Sequence, residues 1–133
     1  MKVRSDFVTN SSSSSFIIAK HKDCTIDEIK EMLYGLKNHI KNLLYDCDGE
    51  YDSKHMTDIK HAYDNDDLDT AIDFSIIDIA ENLNKTYKYD LTLNDWNVRC
   101  TTVSNEDCLL FECALYDFGY LMDTEHLKLS SGD

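Results

Sequence analysis

Proline is absent from this 133-residue chain, where average usage near 5% would place about six or seven. No proline-rich linker therefore divides it. Glycine is scarce as well. The four glycines (Gly35, Gly49, Gly119 and Gly132) are scattered, which excludes a glycine-rich phosphate loop. No apolar run approaches the roughly 20 residues of a membrane span, and no signal-type apolar region follows Met1. Cysteine occurs five times, at Cys24, Cys47, Cys100, Cys108 and Cys113, an odd number without regular spacing or a CxxC pair. Such usage argues for buried thiols in a reducing cytoplasm rather than a secreted disulfide scaffold. Basic residues are outnumbered 13 to 26, a formal charge of −13. A chain so acidic is not expected to bind nucleic acid directly or to adhere to an anionic membrane.

What is present suffices for a core. The 42% apolar content with 11% aromatics excludes global disorder, and the length suits a single domain over residues 1–133. Among the cations, lysine outnumbers arginine eleven to two, a bias typical of AT-rich genomes.

Near the N-terminus, Ser11 to Ser15 lie between Phe7-Val8 and Phe16-Ile17-Ile18. By composition the serines read as a flexible segment, or else as a hydroxyl-lined loop gripping an anion. Phe16 to Ala19 reads as a buried strand. The string Asp6-Phe-Val-Thr-Asn-Ser-Ser-Ser-Ser-Ser-Phe16 resembles an N-terminal signature of uncharacterised proteins from Firmicutes and their phages. The resemblance is confined to residues 1–18. It implies a lineage and a shared first strand, and it brings no activity or catalytic residue with it.

Thr25-Ile-Asp-Glu28 spells a capping box, with Thr25 accepting from the Glu28 amide and Glu28 reaching back to the Thr25 amide. Ile26, Ile29, Leu33, Leu36, Ile40 and Leu43 then predict one helix over 25–45, packed on the protein's own sheet or on a second copy. Asp46 to Thr57 reads as a polar loop turning at Gly49, and Thr57 to Tyr63 as a short helix. A further helix is expected from Asp66 or Asp67, with Leu68, Ile72, Ile76, Ile79 and Leu83 facing inward and an exit at Asn82 or Asn84. Three strands follow by alternation, over 87–93, 96–101 and 109–115, with Asn94-Asp95 as a turn. Phe118 to Leu129 reads as either strand or short helix. The expected fold is α+β, an antiparallel sheet of about four strands with two helices on one face (β-α-α-β-β-β).

Charge is unevenly spread. Residues 1–44 carry +2, residues 45–81 carry −10 and residues 82–133 carry −5. In the middle segment Asp48, Glu50, Asp52, Asp64, Asp66, Asp67, Asp69, Asp73 and Asp78 are the expected partner-binding residues. Asp66, Asp69 and Asp73 at i, i+3 and i+7 would share one helical stripe. Ten aspartates to two glutamates keep these charges close to the backbone, a pattern that can imitate a phosphate chain. A solvated face that merely aids solubility is the competing reading.

Catalytic signatures are missing. The Asp46-x-Asp48-x-Glu50-x-Asp52 alternation lacks the sixth-position glycine and twelfth-position glutamate of an EF-type calcium loop. Cys100, Cys108, Cys113 and His126 have no zinc-site spacing, and Cys47 with His55 lacks an orienting third group. The expectation is therefore no cofactor, no metal and no enzyme activity. The leading reading is a small cytoplasmic inhibitor, similar in strategy to anti-CRISPR proteins, occupying a basic nucleic-acid-binding groove with Tyr51 and Tyr63 as anchors. An immunity protein or antitoxin against a basic toxin is the alternative, and a small enzyme or ligand-binding domain is a third.

Overall fold

The computed structural model describes residues 13–104 and 109–131, excepting the side chains of Ser13 and Ser104. Residues 6–12 of the N-terminal signature and Cys108 lie outside the described residues. The chain runs β1 (Ser13–His21), α1 (Ile26–Tyr34), α2 (Lys37–Asp46), α3 (Met56–Asp64), α4 (Leu68–Asn84), β2 (Leu91–Leu93), β3 (Trp96–Ser104), α5 (Leu110–Phe118), a 3₁₀ turn (Gly119–Leu121), β4 (Asp123–Thr124) and β5 (Leu127–Ser131). The fold is α+β, and its sheet is antiparallel throughout. Among the described residues it has five strands, in the order β2-β3-β1-β5-β4, and five helices, more of each than expected.

Strand β1 lies at the centre of the sheet, paired with β3 along its whole length from Ser13↔Ser104 to His21↔Trp96. Ser13–Ser15 are therefore strand. Phe16 and Ile18 face the helices and are buried, whereas Ile17 on the opposite face is 41% exposed.

The helix expected over 25–45 is two helices. Gly35 closes α1, and Leu36 leaves helical geometry (φ −111°, ψ 17°) before α2 starts. Glycine costs about 1 kcal/mol against alanine in a helix interior, so the chain bends there. The apolar stripe survives the bend: Ile29, Leu33, Ile40 and Leu43 are all buried, with Leu36 only half-buried at the junction. Half of the capping box forms. Thr25 Oγ1 accepts from Glu28 N at 3.1 Å, but the Glu28 carboxylate reaches Thr124 and His126 instead of the Thr25 amide.

Asp48 (φ 52°) and Gly49 (φ 74°) turn the chain out of α2 through two left-handed residues. A Cβ on Gly49 would sit 2.9 Å from Tyr63 Cβ, so only glycine fits there. Helix α4 begins as expected, with Asp67 Oδ1 accepting from Thr70 N at 3.3 Å. It is the central helix, touched by α1, α2, α3 and α5, and so it buries Ala71, Ser75 and Ala80 beyond its expected stripe. At its C-terminal end two cations from the sheet supply donors: Lys20 Nζ to Asn84 O and Arg99 Nη2 to Asn82 O, each at 2.6 Å. Both sites favour positive charge, because the last carbonyls of a helix lack intrahelical partners.

Two expectations for the C-terminal part are corrected. The segment 109–115 is not a strand; residues 110–118 form α5, burying Leu110, Cys113, Ala114 and Phe118 at helical spacing. Leu109-Leu110-Phe111 is apolar at every position and satisfies either period, and Glu112 and Ala114 then favour helix. Strand β3 forms with the opposite face inward. Arg99 and Val103 are buried while Cys100 is exposed, so the expectation of a buried Cys100 thiol fails. The expected strand over 87–93 shortens to Leu91–Leu93, all exposed. Its turn is as expected, with Asn94 (φ 49°) and Asp95 (φ 72°) both left-handed, the geometry of a two-residue hairpin. Residues 118–129 contain both the 3₁₀ turn and a short hairpin. Among the described residues no helix is long and apolar enough to cross a membrane.

Candidate functional site

Eight of the nine expected partner-binding acids are exposed: Asp48, Glu50, Asp52, Asp64, Asp66, Asp67, Asp69 and Asp73. The fold draws three of them together from separate segments. Lys60, on α3, lies 3.1 Å from Asp64 Oδ1 and 3.5 Å from Glu50 Oε1, and donates to Asp48 O at 2.9 Å. Bonding to Asp64 is the main cause that raises the Lys60 pKa. One ammonium thus serves the edges of two acidic segments, and the surrounding carboxylates remain in net excess. Tyr45, exposed, meets the half-buried Tyr63 edge-on at 6.3 Å beside this cluster.

The stripe is not as expected. Asp66 precedes the helix and holds a left-handed turn (φ 59°), so it shares no helical face with Asp69 and Asp73. Within α4 only Asp69 and Asp73 stand at i,i+4, and that like-charged pair costs about 0.2–0.5 kcal/mol. Asp67 is occupied in capping, and Asp69 sits in the first turn, where the helix dipole favours a carboxylate. Asp73 accepts from Tyr34 Oη at 3.2 Å.

Asp78 does not belong to this surface. It is 2% exposed, and burial pushes its carboxyl above the usual range, opposed by a hydrogen bond from the Lys54 backbone and by the nearby His55. Tyr51 is no anchor either: it is 1% exposed and donates to Leu43 O at 2.6 Å. Cys47 and His55 turn to different partners. Cys47 neighbours the Tyr51 hydroxyl, while His55 Nε2 lies 3.1 Å from Glu81 Oε1 and its ring stacks on Phe74.

A cleft of ≈ 970 Å³ opens beside the acidic edge, lined by Asp52, Lys54, Asp78, Glu81, Lys85 and Glu112 among others. Thr102 and Leu109 also line it. Its lining mixes acids with lysines, and neither Cys47 nor His55 is part of it.

A second grouping of chemistry-bearing side chains had no counterpart in the sequence reading. His21 ends β1, Asp23 follows in the next turn, and His126 sits in the β4–β5 turn. One donor atom from each lies within 4.8 Å of the others. Glu28 supports this corner from α1, with Oε1 2.8 Å from His126 Nδ1. Hydrogen bonds from Thr124 and then His126 hold the Glu28 carboxyl below its usual range, while Glu28 holds the His126 imidazole above its own. The Asp23 amide donates to His21 Nδ1 at 3.1 Å. No local motif could reveal the group, because His21 and His126 stand at opposite ends of the chain.

No protein-family model, curated protein or solved structure matches this chain.

Proposed function

We propose that this protein is a small acidic inhibitor that acts in the cytoplasm by occupying a basic nucleic-acid-binding groove on a partner, in the manner of phage counter-defence proteins. The observation that carries the reading is the convergence of the Glu50 and Asp64 carboxylates on the single Lys60, whose ammonium also binds the Asp48 backbone carbonyl and so holds the exposed Asp48 carboxylate at the same edge. Asp66, Asp69 and Asp73 continue the charge along the next turn and helix. Of these, Asp48, Glu50 and Asp66 are exposed and neither cap a helix nor fill the core through their carboxylates; the Glu50 pair with Lys60 at 3.5 Å lies at the surface, so all three can face a partner. A basic groove would gain charge complementarity and faster encounter from such an edge. An immunity protein neutralising a basic toxin would use the same physics and remains the alternative partner class.

The test immobilises the full chain and captures binding proteins from a bacterial host extract. A captured nucleic-acid-binding complex should be released by competing DNA or RNA and by raised salt. The combined variant Asp48→Asn, Glu50→Gln, Asp66→Asn should fold normally and capture much less of it. Equal capture by the variant at every salt concentration would remove the acidic edge as the binding surface.

A further inference from the structure

We propose that His21, Asp23 and His126 form a binding site for a divalent transition ion of the zinc class, with Glu28 positioning His126. Two imidazoles and one carboxylate are a characteristic borderline donor set, suited to Zn²⁺ rather than to Ca²⁺ or Mg²⁺. Closing the site takes a movement of Asp23 and exchange of its amide's hydrogen bond to His21 Nδ1 for the ion. Donors at ~2.0–2.1 Å from a tetrahedral zinc stand about 3.3 Å apart, and these three already lie within 4.8 Å of one another. The closing movement falls to Asp23, whose side chain is 65% exposed, while the His21 and His126 side chains are held at 19% and 26%.

Glu28 supplies the support that metal-binding histidines commonly have. A carboxylate can only accept, so its 2.8 Å contact assigns the His126 proton to Nδ1 and leaves the Nε2 lone pair to ligate. Glu28 is itself fixed by Thr124 and by the His126 amide. On the other histidine, the Asp23 amide bonded to Nδ1 keeps a lone pair on the side where Asp23 Oδ2 lies, 3.6 Å away. The ion takes that lone pair in place of the amide. The backbone is already fastened here, His21 N to His126 O at 2.9 Å, so the ligands come from preformed turns. Three protein ligands leave a fourth position for water. The site lies apart from the acidic edge, so neither proposal depends on the other.

The chain carries its own reporter, because its single tryptophan, Trp96, packs edge-on against His21 at 5.1 Å. Zn²⁺ titrated calorimetrically into the EDTA-treated full chain should bind one equivalent, and Co²⁺ at the same site should quench Trp96 fluorescence. In the wild-type protein the ring-proton NMR signals of His21 and His126 should shift with Zn²⁺, while those of His39, His55 and His61 stay in place. His126→Ala should abolish binding. Glu28→Gln, with the Thr25 cap intact, should weaken it about 10–100-fold without changing the far-ultraviolet circular dichroism. The proposal is overturned if Zn²⁺ leaves the His21 and His126 signals unmoved. It is equally overturned if binding survives His126→Ala but disappears when the cysteine thiols are alkylated.

Discussion

The acidic edge around Lys60 and the corner around His126 treat charge in opposite ways. At the edge, carboxylates crowd an exposed surface and one lysine answers two of them. At the corner, a single carboxylate is matched to a hydroxyl, an amide and an imidazole. Surface charge left in excess adds little to stability and creates a field that acts at a distance. Charge matched bond for bond acts locally and holds two chain segments, α1 and the β4–β5 hairpin, in one geometry. The first arrangement suits recognition of a large basic surface, and the second suits capture of a small ion.

The severest way to break the comparison is through the core both regions share. Ile76 is fully buried at the middle of α4, the helix that carries the acidic edge at its start and receives Lys20 and Arg99 at its end. Ile76→Ala should cost about 2–5 kcal/mol in urea denaturation, from lost burial and the cavity left behind. Edge and corner should lose structure in one transition, as followed by Tyr45 and His126 NMR signals. Separate midpoints would show that the two regions are independent units.

Gly49→Ala attacks the edge alone. The new methyl would meet Tyr63 in a backbone conformation of φ 74°, at a cost of about 1–2 kcal/mol for the left-handed geometry before the clash is counted. Stability in urea should fall by at least that much, while the histidine signals of the corner in the folded protein stay unchanged.

How legible each region was follows from the range of its interactions. The edge is a local excess of aspartate, visible by counting along one segment. The sequence also offered Asp66 or Asp67 as the α4 cap, and Asp67 takes that place; what counting missed is that Asp66 sits in a left-handed turn off the helical stripe and that Asp78 is buried. The corner joins residues from opposite ends of the chain and needs the sheet to bring β1 beside β5. Strand β3 shows a different limit. Alternation separates its residues into two sets but does not say which set faces the helices. Trp96, Val98 and Cys100 are the more apolar set, yet Arg99 is buried. Its guanidinium donates to Asn82 O and lies 5.0 Å over the Tyr87 ring, which offsets part of the desolvation of the charge, while its Nε stays buried without a hydrogen-bond partner among the described residues. The break at Gly35 likewise left the hydrophobic stripe intact, so periodicity alone carried no sign of it.

Smaller effects should separate the working acids from the idle ones. Asp67→Ala removes the α4 cap and should lower stability by about 0.5–2 kcal/mol, while Asp67→Asn keeps an accepting oxygen and should change little. Asp66→Asn, at a left-handed position both residues tolerate, should stay within about 0.5 kcal/mol of the parent. A large loss for Asp66→Asn would mean that its charge is part of the scaffold after all, and chemical denaturation of the three variants decides it.

Asp78 should give the most informative effect, because it is an acid of the charged segment placed in the core. Burial raises its pKa above the ordinary 3.8. Below pH 3.8 both the folded and unfolded chains carry it protonated, so it contributes no pH dependence. As pH rises past 3.8 the unfolded chain releases this proton first, and stability falls until the folded carboxyl ionises as well. At higher pH the loss is constant. Asn has nearly the same volume and can still accept from the Lys54 amide, but does not titrate. Asp78→Asn should therefore raise the melting midpoint at pH 7 relative to the parent, with the gain shrinking toward zero as the pH approaches 3.8. A gain that persists unchanged in acid would come from packing rather than charge. A loss at pH 7 would mean that the Asp78 carboxylate is matched bond for bond, as Glu28 is.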